Sequence, residues 1–312
     1  MLVRHRTLVA ACLLALVPAL AISAATHAAT AEKIPGQAYF GTERYVEYLA
    51  GDLPIVLTSP HGGRLKPDSI PNRIEGATEI DANTQELARA LAAEFFTRTG
   101  HRVHVVASHL HRVKLDPNRE IKEAAAGNAT AERAWSEYHA AIRGALASAV
   151  ARHGFAFLVD LHGHAHPIAR LELGYALDAK QLNRPDAAFD STGLIAVSTF
   201  SDLHTRLGGS AATLLRGPAS LGALFAARGF RATPSPADAQ PGDGPFFSGG
   251  YTVRQHAGGD TPKVDGLQIE CNRIGVRDTP ENRTKFARVA AEVLTLFVEA
   301  HYPFTFPAPA KR

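Results

Sequence analysis

Cysteine is nearly missing from this chain: 312 residues hold two, Cys12 and Cys271. With Cys12 inside an N-terminal segment expected to be removed, Cys271 is left without a partner, so an apolar core has to hold the fold. An excess of either charge is missing too. The 33 Lys and Arg face 30 Asp and Glu, and without Arg4 and Arg6 the balance is 31 against 30. No polybasic run survives that removal, which argues against nucleic acid as a partner. The apolar stretch from Leu8 to Ile22 is too short, and Pro18 too central, for a membrane span of ~20 residues. A Gly-x-Ser-x-Gly elbow is lacking, and Ser59 before Pro60 is poorly placed as a nucleophile, so a serine hydrolase is disfavoured.

What is present begins with an export signal. Arg4, His5 and Arg6 form a basic start, Leu8 to Ile22 an apolar middle, and small residues near Ala25 and Ala28 a cleavage region. Residues 1–29 are therefore expected to be a signal peptide and the mature protein to be periplasmic or secreted, with no stable membrane insertion. Residues 30–312 contain no repeat and no dividing linker, and are expected to form a single catalytic domain.

Within that span strands and helices alternate. Leu53–Thr58 is a short apolar run ending in Ser-Pro-His-Gly-Gly. Asn83–Thr97 carries Leu87, Leu91 and Phe95 at helical spacing, and Val103–Ala107 reads as a strand. A long helix follows over Ala131–Arg152, closed by Gly154. Phe155–Leu161 is a buried strand that runs into His162-Gly163-His164, with His166 beyond. Leu171–Leu177 and Leu267–Cys271 read as further strands, Ser220–Ala227 as a helix, and Thr279-Pro280 as the start of a last helix to about Ala300. Residues 231–250 are rich in Pro, Gly, Asp and Ser and are expected to be a long loop beside the site. The alternation predicts an α/β fold, with mostly parallel strands joined by crossover helices.

Polar clusters sit where the apolar strands stop. They are His61; His111-Arg112 with Asp116-Pro117-Asn118-Arg119; His162; and Glu270 with Asn272-Arg273. Each alone has an ordinary reading as a hydrogen-bonded histidine, a turn or a polar strand face. Together they hold what a catalytic zinc centre requires: two imidazoles, carboxylates for a third ligand and a base, and arginines for an anionic substrate.

The order Ser-Pro-His-Gly-Gly, Leu-Asp-Pro-Asn-Arg, Asp-Leu-His-Gly-His, Gly-Gly-Tyr and Gln-Ile-Glu-Cys-Asn-Arg, spread over residues 50–300, resembles the N-formylglutamate amidohydrolases, distant relatives of the zinc carboxypeptidases. The resemblance implies a mixed, mostly parallel central sheet flanked by helices (zinc-carboxypeptidase-like, phosphorylase/hydrolase-like). It also implies one Zn2+ and hydrolysis of an amide next to a carboxylate. Carried over by position, it makes His61 and His162 zinc ligands, Glu270 the general base and Arg112 the group that polarises the scissile carbonyl. Asn118 and Arg119 match the pair that holds a substrate carboxylate.

Zinc carboxypeptidases place a Glu three residues after the first His, and here that position is Arg64. A third ligand must come from elsewhere. Asp81 has two readings, as that ligand and as the N-cap of the helix starting near Ala82; Glu79 and Glu75 are further candidates. His164 and His166 are expected to orient His162 or line the pocket. Tyr251 and Arg254 are candidates to close over substrate as an acid and a carboxylate clamp. Cys271, inside a strand, reads as a core thiol.

The leading expectation is an exported zinc amidohydrolase acting on an N-acyl amino acid or small peptide that bears a carboxylate. A zinc carboxypeptidase acting on peptides or cell-wall peptides fits the same arginines. A periplasmic zinc-binding protein is suggested by the 15 histidines, but Glu270 and the arginines have no task in it.

Overall fold

A computed structural model describes residues 33–259 and 261–309. The expected signal peptide, residues 1–29, lies outside them. Eight strands form one sheet: β1 Ala38–Phe40, β2 Val46–Leu49, β3 Ile55–Ser59, β4 His104–Ser108, β5 Ala156–His164, β6 Leu171–Gly174, β7 Ala232–Thr233 and β8 Val264–Asn272. Their spatial order is β1-β2-β4-β3-β5-β8-β6-β7. The centre, from β4 through β3 and β5 to β8, is parallel. Antiparallel pairings then join β2 to β4 and β6 to β8. The sheet is thus mixed and mostly parallel at its core, and helices flank it.

The helices are α1 Thr84–Thr99, α2 Ile121–Ala125, α3 Ala129–His153, five short ones over 179–226, α9 Tyr251–His256 and α10 Pro280–His301. Their ends follow the sequence. Asn128 caps α3 by accepting from Ala131 N, and α3 stops at Gly154, whose φ of 82° suits glycine. Thr279 caps α10, with Pro280 in the first turn.

Side chains alternate across each strand, and the two faces bury different helices. Ile55, Leu57, Phe157, Val159, Leu161 and Ile269 pack with Leu87, Leu91 and Phe95 of α1 and Phe286 to Val298 of α10. Val56, Val106 and Leu158 pack with Tyr138, Ile142 and Leu146 of α3 and Val253 of α9. Fully burying one such side chain stabilises by about 1.5–3 kcal/mol, so this two-sided core replaces any need for a disulfide. Cys271 is buried within it, as its place in a strand implied.

Three differences from the sequence reading bear on the site. β5 extends through His164, so the His-Gly-His segment lies within the sheet and pairs with β8 up to His164–Asn272. The expected loop over 231–250 contains the short strand β7. The strands β1 and β2 at one end of the sheet were not foreseen, because runs of three and four residues carry too little pattern. Among the described residues no helix is long and apolar enough to cross a membrane.

Candidate metal centre

The parallel strands end together, and their C-terminal ends open into a cavity of about 480 Å³. Such edges are where open α/β sheets bind ligands. Three of its lining residues, His61, Asp81 and His162, bring metal-ligating atoms within 4.8 Å of one another. His61 follows β3 by two residues, His162 sits in β5, and Asp81 precedes α1.

Hydrogen bonds fix which ring atoms face the centre. His61 Nε2 is 2.6 Å from Asp116 Oδ1, and His162 Nε2 is 2.9 Å from Asp160 Oδ2. Both acids are fully buried. A carboxylate accepts, so each Nε2 carries the hydrogen, and a neutral ring then presents its lone pair at Nδ1. The two Nδ1 atoms lie 3.3 and 3.1 Å from the same atom, Asp81 Oδ2. Three acceptors pointed at one place repel unless a proton or a cation sits among them. His162 shows the consequence: burial opposes its charge, yet Asp160, Asp81 and Glu270 hold its ring well above the ordinary imidazole range. Asp81 is the counterpart. Burial works against its ionised form, but His61 and His162 keep its carboxyl well below the usual carboxylate range.

Two imidazole nitrogens and a carboxylate oxygen, each ring backed by a buried carboxylate, are the donor set and the supporting shell of a catalytic zinc site. The residues present fit the metal. Asp81 resolves its two readings in the same geometry. Its backbone oxygen accepts from Thr84 at the start of α1, and its side chain turns away to the histidines and Gly163 N. It is not a side-chain cap. Glu75 and Glu79 are exposed and outside the cluster.

Around the centre, Arg112 donates from Nε to Asp116 Oδ2 at 2.8 Å and lies 3.6 Å from Asp81 Oδ1. Asp116 thus ties a histidine to an arginine. Burial disfavours its charge, but His61 and Arg112 outweigh that and hold it far below the carboxylate range. Glu270 stands beside His162, 4.0 Å from Nδ1, and pairs with it in register across β5 and β8. Its Oε1 accepts from Gln268 Nε2 at 2.9 Å, while its buried Oε2 has no partner. Burial pushes its carboxyl up to about 8, His162 opposing and Asp81, Glu172 and Asp160 assisting.

A family model, N-formylglutamate amidohydrolase, matches residues 122–276, a stretch that contains His162 and Glu270. Over that stretch the chain matches the N-formylglutamate amidohydrolase family, and the match supports a hydrolase acting on amide bonds. The fold agrees. An N-formylglutamate amidohydrolase structure from Ralstonia eutropha JMP134 is similar at TM-score 0.50 and 17% identity, over 82% of this chain and 97% of that one. A gene product of Agrobacterium tumefaciens is similar at TM-score 0.52 and 15% identity, over 84% and 97%. No curated protein matches the sequence.

The remaining family-derived positions divide. Arg119 lines the cavity, its Nε bonded to Glu123 and its side chain 37% exposed. Asn118 also lines it, with its amide oxygen taken: Oδ1 accepts from Thr252 N at 2.7 Å, while Nδ2 lies 3.5 Å from Gln268 Oε1. His162 Nε2 cannot both donate to Asp160 and accept from Asn118, so that 3.3 Å approach is a contact only. His164 lines the cavity too, with Nε2 donating to Arg170 O and Nδ1 accepting from His166 N, which leaves neither nitrogen for a substrate. Tyr251 and Arg254 lie away from the cavity lining. One turn apart on α9, they share a face on which Tyr251 packs against Trp135 and His139 while Arg254 bonds Gly249 O and Ser248 Oγ. The Gly-Gly segment before Tyr251 does reach the site, since Phe246 to Gly250 border the cavity as expected of that loop.

Sequence reasoning missed Asp160 and Gln268. Both sit two residues before a singled-out residue, His162 and Glu270, and strand period two puts them on the same face. That spacing was the available signal. Gly163, between the two histidines, is fixed by packing: a Cβ there would lie 2.3 Å from Arg277 Nε, whose guanidinium binds Cys271 O, Ala82 O and His164 O.

Proposed function

We propose that this chain is a zinc-dependent hydrolase of N-acyl amino acids or small peptides that bear a carboxylate. The observation that supports it most is the convergence of His61 Nδ1, His162 Nδ1 and Asp81 Oδ2, each ring locked by a buried carboxylate. A zinc ion held by these three residues would polarise the scissile carbonyl and acidify a water beside it.

The protein's own groups do the rest. Glu270, whose carboxyl the positive charge of such an ion would bring back to its ionised form, takes a proton from the attacking water through its unpartnered oxygen and delivers it to the amide nitrogen as the C–N bond breaks. Gln268 holds the other oxygen, which keeps the carboxyl aimed. Arg112, locked by Asp116, offers its remaining N–H groups to the oxyanion that develops on the carbonyl. Arg119 meets the substrate carboxylate in a two-pronged contact that lysine does not reproduce. A zinc store needs neither Glu270 nor this arginine pair. We also read residues 1–29 as an export signal that places the enzyme outside the cytoplasm; the native protein beginning at Met1 would sink that reading.

The test is turnover of N-formyl, N-acetyl and dipeptide substrates by the zinc-loaded protein. Hydrolysis should vanish on chelation and return with zinc. Full activity from metal-free protein would end the proposal.

A further inference from the structure

A second group of polar residues borders the same cavity and takes no part in the chemistry above. His166 and Phe247 both line it. Their rings stack at 4.6 Å with 28° between planes. Glu172 fixes both: Oε1 accepts from His166 Nδ1 at 2.9 Å, and Oε2 accepts from Phe247 N at 2.8 Å. Glu172 is fully buried in β6, directly across from Glu270 in β8. One inaccessible carboxylate therefore sets the orientation of an imidazole and the position of the loop that carries the phenyl ring.

His164, His166 and Glu172 also place metal-ligating atoms near one another. A metal there would have to displace one of the two bonds that occupy the His164 ring as well as the His166–Glu172 bond, which argues for an organic ligand. His166 keeps Nε2 without a hydrogen-bond partner among the described residues, and Phe247 remains 44% exposed at the cavity wall. An aromatic held rigid yet uncovered, next to a free imidazole nitrogen, is a surface built for a flat group that carries a polar atom.

The sheet order tells which part of a substrate meets it. Arg112 and Arg119 follow β4, and β3, β5 and β8 separate β4 from β6. With the substrate carboxylate at the arginines and the amide at His61, His162 and Glu270, the chain beyond the carbonyl runs toward Glu172. A formyl carbon bears only hydrogen and would leave this wall unused.

We propose that His166 and Phe247, held by Glu172, form an acyl-side subsite, and that the substrates carry a planar acyl group, an aryl or a peptide unit, rather than formyl. This rests on the amide-hydrolase reading of the centre. The planar group lies on Phe247, and its polar atom meets His166 Nε2.

The experiment compares kcat/KM of the zinc-loaded enzyme for N-formyl-, N-benzoyl- and N-acetyl-L-alanyl-L-glutamate. At least one planar acyl substrate should exceed the formyl one by about tenfold, and which of the two does so separates aryl from peptide. Phe247→Ala, at an exposed position, should reduce that preference by about tenfold. His166→Gln, which keeps a donor for Glu172, should reduce it as well. A formyl preference in the wild type, or an equal loss on all three substrates, overturns the subsite. Equilibrium binding of N-benzoyl-L-glutamate to metal-free protein reads the same surface without turnover. Phe247→Ala should weaken it by about tenfold, and unchanged binding would refute the proposal even if the hydrolase reading had failed for other reasons.

Discussion

Asp160→Asn isolates the role of one buried charge in the centre. The substitution keeps side-chain volume and leaves one acceptor oxygen, where the Thr58 hydroxyl now bonds Oδ1 at 2.6 Å. With the amide oxygen kept for Thr58, the NH2 faces His162 Nε2 and the 2.9 Å bond is lost; with the amide turned over, that bond becomes a neutral one and Thr58 loses its acceptor. Hydrogen bonds to charged groups contribute about 1.5–3 kcal/mol against about 0.5–1.5 for neutral pairs, so the neutral bond is weaker by about 1–1.5 kcal/mol, close to tenfold. Asp160 is fully buried, so water cannot restore the bond. If the new amide presents its NH2 to the ring, His162 must accept at Nε2 and carry its hydrogen at Nδ1, the atom that faces Asp81. Zinc affinity should therefore fall by about 10–100-fold, the usual range for a histidine's carboxylate partner. Competition with a chromophoric chelator at pH 7.5 measures it, and a denaturant titration confirms that the fold is intact. A folded Asp160→Asn protein binding zinc within threefold of wild type would show that the buried charge does not support the His162 ligand.

Glu270→Gln should retain zinc and lose about 10²–10⁴-fold in kcat, since it removes the base and spares the ligands; a change below tenfold would reassign the base. Arg119→Ala should raise KM for carboxylate-bearing substrates by about 10–100-fold with a smaller change in kcat, because a charge-assisted contact of about 1.5–3 kcal/mol is lost. An unchanged KM would move the clamp elsewhere. Acid stability should depend on His104, whose Nδ1 accepts from Gly51 N and meets the Tyr48 hydroxyl. Burial pushes its ring down to about 4. Its unfolded form takes up a proton near pH 6.5 that the folded form refuses, so this contribution is full above pH 6.5 and declines as pH falls to about 4. The loss amounts to roughly 3 kcal/mol, while Asp265, pushed up to about 6 by burial, works in the opposite direction. His104→Gln should flatten the denaturation midpoint between pH 7 and pH 4.5 relative to wild type; identical slopes would contradict it.

The sequence disclosed the parts of the site that chemistry marks most strongly. His61 and His162 stand where apolar runs give way to glycine, and Glu270 interrupts an apolar strand. Asp81 stayed ambiguous because an acid just ahead of a helix has a local use. Only the fold shows its side chain turned toward two imidazoles from β3 and β5. Asp160 and Gln268 were hidden inside strands whose polar residues read as pattern noise, although their roles require the strand period that was already visible. Asn118 illustrates the reverse. Its neighbourhood marked it for substrate, but its amide oxygen is taken by Thr252 N, over a hundred residues away in sequence. Tyr251 and Arg254 lie just outside the cavity lining, because the start of α9 decides which way they face. The parallel core followed from the alternation of elements, whereas the edge strands and the short helices of 179–226 depend on packing that no local window contains.

His61, Asp81 and His162 should bind one metal ion. Metal analysis of full-length protein purified without chelators should give about one zinc per chain, lost in His61→Ala and in Asp81→Ala while both variants remain folded. Metal-free wild-type protein that hydrolyses amides at full rate would contradict it.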